Sequence, residues 1–133
     1  MGTTWFPTGV DTAQVDKNRV TTVNGTITLV AGDSGKAYRW FSGALTVNLP
    51  ATAPGLIYTF LYVGPNGGGS LAINPVAADG IAAAGSSVVN KDLLISSANI
   101  KEGDWVSITS GVGATGVTAW HVNGQRGIVT KEP

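Results

Sequence analysis

The stretch from Leu45 to Val63 constrains the fold of this chain more than any other. Its first part, Leu45–Leu49, alternates apolar and polar residues, which is the period of a half-buried β-strand. Pro50–Gly55 then interrupts the strand, because each proline lacks the N–H group that a β-ladder needs. Leu56–Val63 is apolar on both faces, which favours a central strand covered on both sides. We therefore predict two antiparallel strands, joined by the turn Pro50–Gly55, as the nucleus of an all-β domain.

Strand signals continue at short intervals on both sides of this nucleus. The predicted strands are Thr26–Val30, Lys36–Phe41, Ser70–Asn74, Leu93–Ser96, Trp105–Thr109, Val117–Val122 and Gly127–Thr130. Gly64–Gly69 is interpreted as a flexible hairpin loop and Asn123–Gly124 as a tight turn. No repeat of fixed period is visible, which argues against a solenoid. The sequence predicts a single compact β-sandwich or partly closed barrel of about eight to ten short antiparallel strands.

The N-terminal segment differs from the rest, because its apolar residues follow neither the helical nor the strand period. We expect residues 1–25 to form an extended N-terminal arm, with one helical turn near Asp11–Lys17, and residues 26–133 to form the β domain. A frayed terminus is the alternative. Against it, a docked tryptophan or phenylalanine buries about 150–250 Å², whereas a solvated one contributes nothing. The arm residues expected to contact a partner are Trp5, Phe6, Pro7 and Val10.

Composition narrows the classes of partner. Eight Lys and Arg balance eight Asp and Glu, and charged residues make up only 12% of the 133 residues. Binding to nucleic acid rests on clustered basic residues, so we expect no nucleic-acid partner. Few charges among 43% hydrophobic residues suggest that a partner, or copies of the chain, cover apolar surface. No apolar run is long enough to cross a membrane and no secretory signal is present, so we expect a soluble protein without a membrane partner.

Catalytic and metal-binding motifs are weak throughout. Gly32–Gly35 resembles the nucleophile motif of a serine protease, but the one histidine, His121, lies far downstream of it rather than upstream. A tight turn in which Asp33 or Ser34 bonds the local backbone is the better interpretation. There is no cysteine for a thiolate site and no calcium-loop pattern. Asp33, Asp79, Asp92 and Asp104 all lie at predicted turns. We therefore predict no enzymatic activity, no cofactor and no metal.

Aromatic residues in the predicted strands raise the question of a carbohydrate-binding face. Such a face requires several aromatic rings on one exposed sheet surface. Tyr58, Phe60 and Tyr62 share one face of their strand, which favours a core position for all three. We predict core packing for most of the remaining strand aromatics as well. These are Tyr38, Trp40, Trp105 and Trp120.

The order of short motifs resembles that of bacteriophage head decoration (cement) proteins and of similar domains on phage fibres. An Asp-Ser-Gly-Lys turn precedes an aromatic strand, and a Leu-Pro pair and a Gly-Leu-x-x-x-Phe segment follow. In this chain the matching segments are Asp33–Lys36, Leu49–Pro50, Gly55–Phe60, Leu71–Pro75, Asp79–Ile81, Gly103–Ile108 and Trp120–Val122. The resemblance covers roughly residues 26–125. The N-terminal arm lies outside it.

This resemblance implies a structural virion protein, made in the host cytoplasm, that binds the outside of an assembled phage capsid. It would stabilise contacts between subunits of the major capsid protein and would act as a homotrimer. The arm residues named above would then contact the capsid or a neighbouring subunit. The alternative is a tail-fibre or receptor-binding module that recognises a glycan on the host surface.

Overall fold

The fold was determined as a computed structural model, which describes residues 19–83, 88–111 and 116–133, with the backbone alone over 116–118. Strands hold 51% of the residues, and the all-β class is confirmed. The strands are β1 Val20–Thr22, β2 Thr26–Thr28, β3 Ala37–Trp40, β4 Gly43–Asn48, β5 Ile57–Tyr62, β6 Gly69–Asn74, β7 Asp79–Ala82, β8 Leu93–Ile95, β9 Trp105–Ser110, β10 Gly116–Arg126 and β11 Thr130–Lys131. One short 3-10 helix, Ala31–Asp33, separates β2 from β3.

The strands form two mixed sheets. Sheet A has six strands in the order β1-β3-β5-β9-β10-β7, and sheet B has five in the order β11-β8-β6-β4-β2. Both sheets keep two edge strands, so neither closes and the predicted barrel is wrong. Five of the nine strand pairs are parallel and four are antiparallel. The prediction of a purely antiparallel arrangement is therefore also wrong.

Four of the five parallel pairs arise because the first six strands alternate between the sheets. The chain runs β1 in sheet A, β2 in sheet B, and so on to β6 in sheet B. A parallel pair needs a long crossover between its two strands, and here the intervening strand of the other sheet supplies it. The predicted antiparallel pair is thus split, with β4 in sheet B and β5 in sheet A. Pro50–Gly55 lies in the connection between the sheets instead of forming a hairpin turn.

The first six strands thus wind back and forth between the two sheets, but the number of residues in each turn of this winding is not constant. In sheet A, the residues aligned on successive strands are Val20, Ala37 and Thr59, which gives steps of 17 and 22 residues. In sheet B the alignment of Thr26 with Thr46, and of Thr46 with residue 72, gives steps of 20 and 26 residues. Unequal connections between the strands cause these unequal steps. No repeat could therefore be seen in the sequence.

Two predicted turns have other roles. Gly64–Gly69 does not form a flexible hairpin, because it leads from β5 in sheet A to β6 in sheet B. A Cβ at Gly69 would lie 2.7 Å from the ring of Tyr62, so the end of this segment is closely packed. Asn123–Gly124 lies inside β10, at a shift in the register with β9 between Val122 and Gly124. The dipeptide marks a bulge rather than the end of a strand.

The predicted arm overlaps sheet A. Val20–Thr22, inside the range assigned to the arm, forms β1 and pairs in parallel with β3. All three residues are exposed, as expected of an edge strand. Residues 1–18 lie outside the described residues, and with them the helical turn expected near Asp11–Lys17.

One hydrophobic cluster contains the buried residues of both sheets. From sheet B it includes alternate residues of β4, β6 and β8, and from sheet A those of β3, β5 and β9. Tyr58, Phe60 and Tyr62 are fully buried, which confirms their predicted core position. The ring centroids of Phe60 and Tyr38 are 5.9 Å apart, and those of Tyr62 and Trp40 are 5.2 Å apart. β5 is thus a central strand of its sheet, as predicted, but it is not covered on both faces, because Ile57 on its second face is exposed.

Candidate functional site

The sequence-predicted contact residues Trp5, Phe6, Pro7 and Val10 lie outside the described residues. Among the described residues, the groups with catalytic potential and the exposed faces of the two sheets are the candidate sites.

Asp33 and Ser34 have structural roles at the turn where they were predicted. The Asp33 carboxylate accepts a hydrogen bond from the Val30 N–H at 3.1 Å and pairs with the Lys36 ammonium at 3.1 Å. Ser34 bonds across the fold instead of locally, since its hydroxyl accepts the Ile57 N–H at 3.0 Å. His121 is exposed on β10, where it aligns with Thr109 of β9. Within residues 19–83, 88–111 and 116–133, no group of three His, Asp or Glu side chains could hold a metal ion.

Two carboxylates have displaced pKa values with opposite signs. The hydrogen bond from the Val30 N–H, aided by Lys36, holds the pKa of Asp33 below its ordinary value despite partial burial. Burial, and then the nearby charge of Glu132, raise the pKa of Asp92. Burial also lowers the pKa of Lys131, whose ammonium donates to the carbonyl oxygen of Ile81 at 2.6 Å. These groups hold β8, β11 and the turn before β3 in place, and none of them lines a common cleft.

The outward face of sheet B is polar and largely self-satisfied. Thr28, Asn48 and Asn74 align across three strands. The side-chain amides of Asn48 and Asn74 approach to 3.0 Å, and Asn48 lies 3.4 Å from the Thr28 hydroxyl. Polar groups that already bond one another offer little to a partner. This face carries no obvious site.

The outward face of sheet A has a different chemistry, and we name it the Trp105 face. It comprises the residues of β3, β5, β9 and β10 that alternate with the core residues. Strand register aligns Arg39 with Leu61, Leu61 with Trp105, and Trp105 with Arg126. Leu61 and Trp105 are half-buried, while both arginines are exposed. The row therefore has an apolar centre and a cation at each end.

Two glycines leave room for the ends of the Trp105 and Arg126 side chains close to the backbone. A Cβ at Gly124 would lie 2.8 Å from the far edge of the Trp105 indole, so the ring rests over that residue. A Cβ at Gly103 would lie 2.9 Å from a guanidinium nitrogen of Arg126. The Trp105 indole thus reaches over β10, and the Arg126 side chain reaches the turn that precedes β9. A larger residue at either glycine would displace the side chain that lies there.

Exposed apolar residues extend this surface at one end of the sheet. Phe41 follows β3 and is 56% exposed, and Val63 follows β5 and is 38% exposed. They are neighbours, because the Val63 N–H donates to the carbonyl oxygen of Trp40 at 2.9 Å. Ile128, two residues beyond Arg126, is 56% exposed. A single exposed apolar side chain is ordinary, but several beside a half-buried tryptophan indicate an interaction surface.

The described part of the Trp105 face carries no carboxylate. Its arginines form no ion pair, since Lys36 with Asp33 is the one ion pair among the described residues. Arg39 is held by its Nε–H, which donates to the Thr22 hydroxyl at 2.8 Å. The nearby Asp104 is buried, and its carboxylate accepts a hydrogen bond from the Lys101 N–H at 2.9 Å. This carboxylate therefore stabilises the turn before β9 and is not exposed on the face. The face is therefore apolar and cationic.

Core packing was predicted for most of the strand aromatics, and Trp105 is the exception because it is half-buried on the outward face. The order Trp105-Val106-Ser107-Ile108 indicated this, because alternate residues of a strand face the same side and Trp105 therefore shares a side with a serine. Val106 and Ile108 are fully buried, so Trp105 points away from them. Tyr38, Trp40 and Trp120 are buried as predicted.

The chain matches no protein-family model, no curated protein and no solved structure. In the described part of the chain, no helix has the length and apolar character needed to span a membrane. Function must therefore be argued from the Trp105 face and from the sequence resemblance.

Proposed function

We propose that this chain is a non-enzymatic structural protein of a phage virion. It binds the outside of the assembled capsid and stabilises contacts between subunits of the major capsid protein. The observation that carries this proposal is the Trp105 face, an exposed apolar surface centred on a half-buried tryptophan. The capsid as partner comes from the resemblance of the motif order to decoration proteins.

The composition of the Trp105 face supports a protein partner. Interfaces are enriched in tryptophan and arginine and depleted in acidic residues, which matches this surface. Trp105 is already half-buried against the sheet, so its ordering costs little side-chain entropy when a partner binds. We propose that this face, together with the N-terminal arm, docks on the capsid. A homotrimer would explain the low share of charged residues, which is 12%.

We also propose that sheets A and B pack face to face as a sandwich. The support is the single hydrophobic cluster to which the buried residues of both sheets belong. Such packing leaves the outer face of each sheet free. The Trp105 face would then be presented to the capsid by a rigid support.

Co-sedimentation with capsid shells that lack the protein tests the proposed function. Trp105→Ala should weaken binding roughly 30-fold, the loss expected of a hot-spot side chain worth about 2 kcal/mol. Phe41→Ser should weaken binding less, and it should leave the fold intact because Phe41 is 56% exposed. Leu94→Ala, which truncates a half-buried side chain on sheet B, is the matched control and should bind normally. Unchanged binding of Trp105→Ala and Phe41→Ser would contradict docking through this face.

Recognition of a host glycan is the second candidate function, and one observation favours it. Trp105 and Arg126 align on neighbouring strands of the outward face, and an indole and a guanidinium on one face suit a sugar ring bearing a carboxylate. Binding to purified host polysaccharide, abolished by Trp105→Ala and absent with capsid shells, would favour this function over capsid attachment.

A further inference from the structure

We infer that the protein segment docked on the Trp105 face is acidic and extended, with the pattern acidic-x-apolar-x-acidic. This inference rests on the proposed function and specifies the chemistry of the partner. It is argued from the cations on the face, their separation and the residues between them.

Arg126 and Arg39 are positioned to receive carboxylates. The Arg126 guanidinium lies close to Gly103, and the Nε–H of Arg39 donates to the Thr22 hydroxyl. Neither guanidinium has a carboxylate partner among the described residues. Arginine binds carboxylates through two parallel N–H groups, which gives geometric selectivity as well as attraction. An acidic side chain is thus the complementary group at each end of the row.

The separation of the arginines sets the spacing of the acidic groups. Arg39 is on β3 and Arg126 is on β10, with β5 and β9 between them. Three strand spacings of about 4.8 Å place the two backbones about 14 Å apart. In an extended segment, residues four positions apart are separated by about 13 Å. The carboxylates at positions 1 and 5 of such a segment would therefore meet the two arginines.

The centre of the row requires an apolar residue. Leu61 and Trp105 lie between the arginines, and both side chains are half-buried on the outward face. Position 3 of the extended segment points to the same side as positions 1 and 5 and lies midway between them. A leucine or similar residue there would cover Leu61 and Trp105. Nucleic acid fits this face less well, because two cations with an apolar centre do not form a phosphate track.

A second copy of the chain does not supply the required pattern. Its acidic residues are Asp11, Asp16, Asp33, Asp79, Asp92, Glu102, Asp104 and Glu132. No two of them are four positions apart. The occupant is therefore a different protein, which under the proposed function is the capsid subunit.

Two capped peptides test the pattern directly. Their sequences are Glu-Thr-Leu-Thr-Glu and Gln-Thr-Leu-Thr-Gln, and binding is followed by the indole N–H signal of Trp105 in NMR spectra. At low salt we expect the glutamate peptide to bind on the order of tenfold more tightly. The preference should shrink as salt is added, because exposed charges are screened. Arg126→Gln should remove most of the preference, whereas Lys91→Gln, which removes an equal charge near sheet B, should keep it.

The same variants separate failure of this inference from failure of the proposed function. Capsid binding that is weakened by Trp105→Ala and also by Arg126→Gln would support both. If Trp105→Ala weakens capsid binding while Arg126→Gln does not, and the two peptides bind equally, the acidic pattern is overturned and docking on the face stands. If capsid binding is indifferent to Trp105→Ala, the proposed docking itself is overturned, whatever the peptides do.

Discussion

Gly64 is the residue at which the backbone leaves least room for a side chain. A Cβ there would clash with the carbonyl group of Phe41 and would lie 2.6 Å from the Tyr62 hydroxyl oxygen. The neighbours are a backbone group and a buried tyrosine whose hydroxyl donates to the Pro65 carbonyl oxygen at 2.7 Å. Neither can move without disturbing the crossover from sheet A to sheet B.

Gly64→Ala should therefore destabilise the fold by about 3 kcal/mol or more, as expected for an overpacked site next to rigid backbone. Gly32→Ala is the matched control, because a Cβ at Gly32 meets nothing within 4 Å and its φ is not positive. The control should change the free energy of unfolding by less than about 1 kcal/mol. Urea unfolding of both variants measures the difference. Equal stabilities would show that the segment after β5 adjusts freely.

The opposite pKa displacements of Asp33 and Asp92 predict opposite effects of one isosteric change. The lowered pKa of Asp33 means that its charge stabilises the fold above its unfolded-state pKa, and this stability is lost as pH falls through the folded-state value. The raised pKa of Asp92 means that its ionisation destabilises the fold, a cost that develops as pH rises above the unfolded-state pKa of this carboxyl group. Hence Asp33→Asn should lower the unfolding midpoint at pH 7, and Asp92→Asn should raise it.

Both shifts should be on the order of a few degrees, because the two side chains are only partly buried. The Asp92→Asn shift should vanish at acidic pH, once the carboxyl group is protonated in both the folded and the unfolded chain, whereas the Asp33→Asn shift should shrink as pH falls and disappear only below the lowered folded-state pKa of Asp33. Thermal unfolding of each variant from pH 3 to pH 8 is the measurement. A midpoint lowered by Asp92→Asn at pH 7 would contradict the assigned sign.

At the scale of elements, Ser110 at the end of β9 bonds the connection between β4 and β5 at two points. The Ser110 hydroxyl donates to the Ala53 carbonyl oxygen at 2.6 Å and accepts the Leu56 N–H at 2.9 Å. The Ser110 N–H also donates to the Leu56 carbonyl oxygen at 2.9 Å. Prolines 50 and 54 stiffen this connection, and Ser110 sets where it meets sheet A.

Ser110→Ala should cost about 1–3 kcal/mol, because it leaves the Leu56 N–H and the Ala53 carbonyl without their partner. Ser70→Ala is the matched control, since the half-buried hydroxyl of Ser70 forms no hydrogen bond with the described residues. Hydrogen exchange at the Leu56 amide gives the local readout and should accelerate in Ser110→Ala alone. Unaltered protection there would mean that the backbone bonds hold the connection by themselves.

At the scale of the whole molecule, the boundary between arm and domain can be tested by two truncations. Deletion of residues 1–18 keeps β1 to β11, so the shortened chain should fold. Deletion of residues 1–25 also removes β1 and uncovers the edge of β3, so its unfolding midpoint should be lower. Thermal unfolding of the two truncated chains gives the comparison. Equal midpoints would show that β1 contributes nothing to stability.

The arm should also contribute to capsid attachment. Under the proposed function, Trp5 and Phe6 would act as aromatic anchors, a type of residue that commonly dominates binding. Deletion of residues 1–18 should weaken co-sedimentation with capsid shells strongly, and Trp5→Ala should account for much of the loss. Normal binding by the shortened chain would mean that the arm is an ordinary terminus and that the Trp105 face suffices.

The sequence by itself determined the all-β class, the central position of β5 and the core role of Tyr58, Phe60 and Tyr62. Alternation along a strand is a local property, and it specifies which side chains share a face. The turn role of Asp33 was also readable, because its hydrogen bond to the Val30 N–H spans only three residues. The outward direction of Trp105 was also predictable, because Trp105 alternates along its strand with the buried residues Val106 and Ile108.

Tertiary structure decided which strands pair and in which direction. Alternation marks a face but not a sheet, so β4 and β5 looked like the arms of one hairpin although they belong to different sheets. Parallel pairing depends on contacts between residues far apart in sequence, and unequal connections leave no period to reveal them. The row from Arg39 to Arg126 exists only because four strands align in register. A site assembled across strands is therefore invisible until the strands are paired.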